Sequence, residues 1–215
     1  MDINKSYNPL HNEVANMALE NKLGLDGIEL MRAEEQISKR RAKQLYGGLL
    51  DQIEVGTYAG LQSIHRYLFE DIYPFAGQTR KLNMSKGGFR FASALYLDEA
   101  LEKITAMPMS TFEQIVAKYV EMNIAHPFLE GNGRSARIWL DAMLKSALGR
   151  VVDWQRIDRE DYLLAMERSP VRDTEIKQLL ENALTDRIDD HELFMHSIDA
   201  SYGYEGYTAF RTKDI

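Results

Sequence analysis

HPFLEGNGRSAR, residues 126–137, is the most informative segment of this chain. Twelve residues hold a histidine, a glutamate, a Gly-Asn-Gly turn and two arginines. His126 can accept a proton near neutral pH. Glu130 offers the oxygen ligand that a hard cation such as magnesium prefers. The stretch therefore combines the groups that a phosphate and metal site requires.

The residues that follow the turn are predicted to form a helix. Apolar residues recur at helical spacing in this segment, namely Ala136, Leu140, Met143 and Ala147. The turn thus lies at a helix N-terminus, where backbone N–H groups and the helix dipole favour an anion. Glycine also tolerates the positive φ that an anion-binding nest requires.

Two arginines, Arg134 and Arg137, lie in the first turn of this predicted helix. Cations oppose the helix dipole there, but a bound polyanion would reverse the balance, and arginine matches phosphate oxygens bidentately. Each feature also has an ordinary structural explanation: a histidine before proline, a Gly-Asn-Gly turn and a solvated arginine pair are all common. Their coincidence within twelve residues favours a phosphate and metal site.

HPFLEGNGR, together with Arg137, resembles the signature of the Fic family, H-x-F-x-(D/E)-G-N-G-R-x-x-R, at every position. The segment LFEDIYPFAGQTR, residues 68–80, resembles a second stretch of that family, with Phe75 where tryptophan is common. The resemblance implies an all-α Fic fold, a helical bundle around a helix–loop–helix active site with a short β-hairpin flap. It also implies an enzyme that transfers AMP from ATP to a Tyr, Ser or Thr hydroxyl of a target protein and of itself.

The resemblance assigns roles to individual residues. His126 would be the general base, Phe128 would anchor the loop, and Glu130 would hold Mg²⁺ against the phosphates. Arg134 would contact the β-phosphate and Arg137 the γ-phosphate. The complete set of residues predicted to bind the nucleotide is Lys86, Asn123, Gly131, Asn132, Gly133, Arg134 and Arg137.

The C-terminal segment SYGYEG resembles the inhibitory motif of small Fic proteins, (S/T)-x-x-x-E-(G/N), through Ser201, Glu205 and Gly206. A pairing of Glu205 with Arg137 would occupy the group that should bind the γ-phosphate. Three hydroxyls flank Glu205 and are predicted automodification sites: Tyr202, Tyr204 and Tyr207. The chain thus resembles the class of Fic proteins whose inhibitory helix ends the chain.

The 215 residues fit one domain, spanning 1–215, with a formal net charge of −7 and no cysteine. Within it we predict a core over 55–150, a flap hairpin over 81–94, a catalytic loop over 126–134 and an inhibitory helix over 189–206. The acidic balance argues against direct binding of nucleic acid. The absence of a long apolar run or signal peptide predicts a cytoplasmic protein without a membrane segment.

Helical patterns predict the remaining elements, and Thr57 is predicted to cap the third of them. The predicted helices span residues 10–23, 28–53, 58–70, 96–105, 110–125, 158–168, 173–185 and 189–205. The basic cluster Lys39, Arg40, Arg41 and Lys43 is predicted to be a solvated helix face. His65, on an apolar face, is predicted to be a packed and hydrogen-bonded histidine rather than a ligand.

Other functions remain open at this stage. Fic-fold relatives include phosphotransferases, which tend to replace the second glycine that Gly133 preserves. Removal of AMP is a further alternative, in which a glutamate such as Glu205 would position water. A non-enzymatic nucleotide-binding module would not need both His126 and Glu130, and a metal hydrolase would need a second histidine at ligand spacing. The resemblance points to gyrase or topoisomerase IV ATPase subunits as targets, docked on the flap, and to homo-oligomers.

Overall fold

The structure of the chain, a computed structural model, describes residues 19–86 and 89–215. Within these ranges most of the chain is helical, and the predicted all-α class is confirmed. The helices are α1 (Gly27–Tyr46), α2 (Tyr58–Phe69), α3 (Leu97–Ala106), α4 (Phe112–Ala125), α5 (Asn132–Leu148), α6 (Arg159–Arg168), α7 (Thr174–Ala183) and α8 (His191–Gly203). The short strands are β1 (Ser85–Lys86), β2 (Phe89–Arg90), β3 (Val151–Val152) and β4 (Leu184–Thr185). No helix of the described ranges is both long and apolar enough to cross a membrane.

Helix α5 forms the centre of the molecule. It packs against α2 and α4, while α1 packs against both α2 and α8. The α5 side chains Trp139, Leu140 and Met143 are fully buried. Large apolar side chains of this kind each contribute about 1.5–3 kcal/mol when they leave water. The helix that begins at the Gly-Asn-Gly turn is therefore held rigidly by the core.

Side-chain caps fix the start of the two helices that lean on α5. The Thr57 hydroxyl accepts a hydrogen bond from the Gly60 N–H (3.0 Å), which confirms the predicted N-cap of α2. The Thr111 hydroxyl accepts one from the Gln114 N–H at the start of α4. Helix α4 ends at Ala125, and His126 follows in the left-handed conformation.

Two small antiparallel sheets complete the fold. Strands β1 and β2 pair Ser85 with Arg90 and Lys86 with Phe89, within the flap region predicted over 81–94. Strands β3 and β4 pair Val151 with Thr185 and join the end of α5 to the end of α7. The second sheet was not predicted, because a two-residue strand is too short to show an alternating pattern.

Several predicted helix boundaries are wrong. The helix predicted over 28–53 ends at Tyr46, because Gly48, with a φ of 126°, cannot continue it; a separate turn of 3₁₀ helix follows at Leu49–Gln52. The last helix ends at Gly203, before Glu205 and Gly206. Of the helix predicted over 10–23, residues 19–23 are not helical, and residues 10–18 lie outside the described ranges.

The prediction of a solvated basic face on α1 is wrong for Lys39. Its ammonium is buried, forms ion pairs with Glu35 (3.0 Å) and Asp199 (3.0 Å), and donates to the Phe210 carbonyl (2.6 Å). Two of its predicted companions, Arg40 and Lys43, are exposed. The ion pairs of Lys39 offset the cost of burying its charge, which requires partners from distant parts of the chain.

Candidate active site

The candidate site lies where α4 ends and α5 begins. His126 has a φ of 49° and a ψ of 62°, and it is the one non-glycine residue of the described ranges with a positive φ. Its ring stacks on Phe91, with centroids 3.7 Å apart and an angle of 12° between the planes. Phe91 follows β2, so the flap covers one face of the predicted base.

A buried scaffold supports the loop between the two helices. Phe128 is fully buried and stacks on His65 at 3.8 Å between ring centroids. The Asn132 side chain holds the backbone of Phe128 from both sides: its Oδ1 accepts from the Phe128 N–H (2.8 Å) and its Nδ2 donates to the Phe128 carbonyl (2.7 Å). The side-chain amide of Asn132 therefore holds the loop in shape. This leaves its backbone N–H, at the N-terminus of α5, as the group predicted to bind a phosphate.

His65 is packed and hydrogen-bonded, as predicted. The Gly77 N–H donates to its Nδ1 (2.9 Å), so the proton lies on Nε2, which donates to the Glu130 carbonyl (2.7 Å). Burial lowers the pKa of His65 to about 3. A neutral histidine thus fixes the backbone of the residue that is predicted to bind the metal.

Glu130 lies at the N-terminus of α5. Its Oε1 accepts from the Gly131 N–H (2.9 Å) and from Arg134 Nη2 (2.9 Å). Burial raises the pKa of Glu130 above its ordinary value, and the charge of Arg134 counteracts this effect. Gly131 precedes the helix with a φ of 75°, and a Cβ there would collide with the Phe69 ring.

Arg134 is fully buried and lies among three carboxylates. Its Nη2 is 2.7 Å from Glu34 Oε1 and 2.9 Å from Glu130 Oε1, and its Nε is 3.1 Å from Glu205 Oε2. The guanidinium also lies over the Tyr207 ring, 4.5 Å from its centroid. The predicted β-phosphate ligand is thus neutralised by acidic side chains in this arrangement.

Arg137 is bound by the C-terminal segment. Its Nε donates to Ser201 Oγ (2.7 Å), and its Nη2 donates to the Ser201 carbonyl (2.8 Å) and to Glu205 Oε1 (2.6 Å). The two oxygens of Glu205 therefore bridge Arg134 and Arg137. The same carboxylate lies directly against Gly133, where a Cβ would be 2.2 Å from Glu205 Oε1.

The tyrosines beside Glu205 are differently placed. Tyr202 and Tyr204 are buried, and the Tyr204 hydroxyl donates to the Trp154 carbonyl (2.7 Å). Tyr207 is partly buried over Arg134. Gly206 has a φ of 89°, which turns the chain after Glu205. In this arrangement the hydroxyls of Tyr202 and Tyr204 become accessible only after the segment leaves its place.

Two predicted nucleotide ligands lie at the edge of the site. Asn123 is in the last turn of α4, three residues before His126, and is half-buried. The backbone of Lys86 belongs to β1 and pairs with Phe89, whereas its side chain lies outside the described part of the structure.

Sequence reasoning missed two buried charges that complete the site. Glu34 of α1 pairs with Arg134 and accepts a hydrogen bond from the Tyr73 hydroxyl (2.7 Å). Arg80, the last residue of the quoted segment 68–80, binds backbone carbonyls around His126. A signal for Glu34 exists in hindsight, since a charged residue in line with the apolar stripe of a helix needs a buried partner. For Arg80 the local sequence gives no comparable signal.

Comparisons with known proteins identify the family. The family model described as the Fic/DOC family matches residues 56–144. Protein adenylyltransferase VbhT from Bartonella schoenbuchensis is 31% identical over 112 residues, which are 47% of this chain and 23% of that protein. Probable protein adenylyltransferase y4lH from Sinorhizobium fredii is 31% identical over 157 residues, which are 67% of this chain and 78% of that protein. This chain thus spans less than a quarter of the first relative and most of the second.

Solved structures agree on the fold. The crystal structure of BepC, a VirB-translocated effector protein from Bartonella tribocorum with bound AMPPNP, superimposes with a TM-score of 0.66. The two chains are 20% identical, and the match covers 79% of this chain and 93% of that one. At this identity the similarity establishes the arrangement of the helices, and the chemistry has to be argued from the residues themselves.

Proposed function

The chain belongs to the Fic/DOC family, and from this premise we propose that it is a protein adenylyltransferase, which transfers AMP from ATP to a side-chain hydroxyl of a protein. One observation carries the proposal: His126 follows the end of α4 and begins the short loop that leads to the N-terminus of α5, which carries Gly131, Gly133, Arg134 and Arg137. A proton acceptor is thereby placed beside a cradle for a polyanion.

The proposed reaction uses these groups as follows. His126 accepts the proton of the target hydroxyl, whose oxygen attacks the α-phosphorus of ATP. The bond from the α-phosphorus to the oxygen that bridges to the β-phosphorus breaks, and diphosphate leaves. The N-terminus of α5 and the guanidinium groups of Arg134 and Arg137 stabilise the charge on the leaving diphosphate.

Glu130 fits the role of a magnesium ligand. Within residues 19–86 and 89–215 no three acidic, histidine or cysteine side chains cluster as an all-protein metal cage. Mg²⁺ is commonly bound by one or two carboxylates together with substrate phosphates and water, so one carboxylate beside a phosphate cradle suits it. When bound, the ion would neutralise phosphate charge, and Glu130 is the residue that would hold it.

We further propose that Glu205 inhibits the enzyme. Its carboxylate bridges Arg134 and Arg137, the two cations that the phosphates of ATP require. It also lies against Gly133, at the helix N-terminus where a phosphate would approach. An anion in this place competes with the nucleotide and prevents the alignment needed for in-line attack. Activity then requires that residues 201–206 move.

The experiment compares three proteins: the wild type, Glu205→Gly, and Glu205→Gly combined with His126→Ala. Each is incubated with Mg²⁺ and ATP labelled at the α-phosphate, and label on protein is measured with intact mass. We expect strong label in Glu205→Gly alone. Transfer from γ-labelled ATP instead would establish a phosphotransferase. Equal label in wild type and Glu205→Gly would refute the inhibitory role while leaving adenylyl transfer intact.

Target and self-modification belong to the same proposal. The flap hairpin β1–β2 offers strand edges to which an extended target segment can add by backbone hydrogen bonds, and ATPase subunits of type II topoisomerases stay the proposed targets. Self-modification is proposed at Tyr202, Tyr204 or Tyr207. Peptide mass spectrometry of labelled Glu205→Gly decides this: AMP on none of these tyrosines would exclude the role.

A further inference from the structure

We propose that Arg80 is a positioning residue, which holds the predicted base His126 and the flap in one fixed relation. This inference rests on the proposed adenylyl transfer, because it assigns a role in that reaction to a residue outside the Fic signature. Arg80 lies in the segment that follows α2. The residue is 2% exposed.

Arg80 connects the end of α4 to the flap through hydrogen bonds to backbone carbonyls. Its side chain donates to four backbone carbonyls: Leu82 (2.5 Å), Ala92 (2.6 Å), Ala125 (3.0 Å) and His126 (2.7 Å). Its own backbone N–H donates to the carbonyl of Pro127 (2.8 Å). One residue therefore binds three successive carbonyls, 125 to 127, at the end of α4 and two carbonyls in the arms of the flap.

The carbonyl partners of Arg80 are groups that suit an arginine. The last carbonyls of a helix have no partner within the helix, and the negative end of the helix dipole favours a cation. The planar fork of arginine presents five donors in fixed directions, which suits several carbonyls at once. The hydrogen bonds of the Arg80 guanidinium in the described ranges go to carbonyl dipoles and none to a carboxylate. Its geometry is thus set by the backbone that it organises.

The left-handed backbone of His126 needs support from its surroundings. A non-glycine residue in the left-handed region costs about 1–3 kcal/mol and persists only where its surroundings enforce it. Arg80 binds the carbonyl of His126 itself and both neighbouring carbonyls. Phe91 stacks on the ring of His126. The next residue, Ala92, donates its N–H to the Ile124 carbonyl of α4 (3.0 Å), and its own carbonyl accepts from Arg80. Arg80 therefore fixes the backbone of the base and the flap that packs on its ring.

Lys118, in the helix whose last carbonyls Arg80 binds, provides a matched control. Lys118 of α4 is also 2% exposed, and its ammonium donates to the carbonyls of Thr105 (3.0 Å) and Met107 (3.0 Å) where α3 ends. It is a buried cation that binds the carbonyls at a helix terminus, as Arg80 is, but its partners lie away from His126. Loss of Lys118 should reproduce the loss of stability without displacing the base.

The test uses the full chain in the Glu205→Gly background. Arg80→Met, Arg80→Lys and Lys118→Met are compared for kcat, for KM of ATP and for thermal unfolding. We expect Arg80→Met to lower kcat about 10–100-fold, as small displacements of a reacting group do. The KM of ATP should stay near that of the parent, since the contacts of Arg80 leave 131–137 untouched. Arg80→Lys, which keeps the charge and three donors, should retain more activity.

A second readout does not depend on the reaction. The ring carbons and protons of His126 are observed by ¹³C-edited NMR and assigned with His126→Ala. We expect their shifts to change in Arg80→Met, where the stack on Phe91 is disturbed, and to stay in place in Lys118→Met. Absence of transfer by the Glu205→Gly parent would overturn the proposed function, and these shifts would still decide the positioning role. Identical shifts and kcat in Arg80→Met and Lys118→Met would overturn the inference.

Discussion

Among single residues, Gly133 is the point at which the proposed phosphate cradle and the proposed inhibitory segment, residues 201–206, meet. A Cβ on Gly133 would lie 2.2 Å from Glu205 Oε1 and 3.0 Å from Arg137 Nη1. The carboxylate thus occupies the space that a side chain at position 133 would need. Glu205 satisfies the same cations and the same dipole that would attract a phosphate, so its inhibition is predicted to be electrostatic as well as steric.

The charge and the bulk of Glu205 can be separated by substitution. Glu205→Gln keeps the shape but removes the charge from the ion pair with Arg134 and from the charge-assisted hydrogen bond to Arg137. A hydrogen bond to a charged group is worth about 1.5–3 kcal/mol. We expect calorimetry to show ATP affinity rising from wild type to Glu205→Gln by roughly tenfold, and further in Glu205→Gly. Glu175→Gln, in the exposed pair with Arg168, is the control. A Glu205→Gln affinity equal to that of wild type would mean that bulk alone blocks the site.

His65 makes a prediction about pH. Burial lowers its pKa from an ordinary value of 6.5 to about 3, so between these values the unfolded chain binds one proton more than the folded one. Folding stability contributed by neutral His65 is therefore complete above pH 6.5 and is lost as pH falls towards 3, at about 1.4 kcal/mol per pH unit. Urea unfolding of wild type and His65→Gln between about pH 4 and pH 6, an interval that lies between the unfolded and folded pKa values of His65, measures this difference in slope.

Asp141 provides an internal check on that measurement. Burial raises its pKa to about 6, so its own contribution to stability decreases as pH rises through its titration, opposite in sign to that of His65. Asp141 is present in both proteins, and its effect cancels in the difference between their slopes. Parallel slopes for wild type and His65→Gln would show that folding does not lower the pKa of His65.

At the scale of the element, α2 carries two side chains that support the catalytic loop, His65 and Phe69. Its start is fixed by Thr57, so we expect Thr57→Ala to lower the free energy of unfolding by about 1 kcal/mol. Ser63→Ala is the matched control, since the exposed Ser63 hydroxyl only donates to the Ala59 carbonyl of its own helix. Denaturant unfolding compares the two variants. Equal stability of the two variants would show that the Thr57 cap does not stabilise α2.

The helices and their caps could be predicted largely from local sequence, because apolar spacing and capping residues act within a few positions. Thr57 and the turn 131–133 are examples. The buried charges could not. Lys39 meets Asp199 across 160 positions and looks like an ordinary surface residue in its local context. Glu34 lies in line with the apolar stripe of α1, but its partner Arg134 comes from another helix and cannot be identified from the local sequence. The break after Tyr46 was missed because a helical pattern continues through Gly47 and Gly48 into Leu49–Gln52.

At the scale of the whole molecule, α1 holds the end of the chain. The Glu35 carboxylate accepts from the N–H groups of Ala209 (3.0 Å) and Phe210 (3.2 Å). Lys39 donates to the Phe210 carbonyl and pairs with Asp199, whose Oδ1 also accepts from the N–H of Thr212 (2.9 Å). The segment that follows Glu205 is therefore anchored to the helix that supplies Glu34 to Arg134. We infer that this anchor helps to keep Glu205 in the site.

Lys39→Met tests the anchor. Removing the cation leaves Glu35 buried without its partner, which costs on the order of 3 kcal/mol for a broken buried pair. Because Lys39 contacts the tail and not the core of α5, we expect hydrogen exchange to accelerate first in residues 207–215, and basal adenylyl transfer to rise in the otherwise wild-type chain. Lys103→Met, in the exposed pair with Glu99, should change neither.

The pattern of exchange separates a local release from general unfolding. If the tail 207–215 accelerates while α5 stays protected and basal activity rises, Glu205 is held in the site partly by contacts outside it. If α5 accelerates equally, Lys39 supports only the global stability of the fold, and basal activity should then fall with the population of the folded state. The sign of the change in activity thus decides whether α1 regulates the enzyme or only stabilises it. If α1 is regulatory, a partner that binds this helix would shift the population in which Glu205 occupies the site, without itself contacting the nucleotide site.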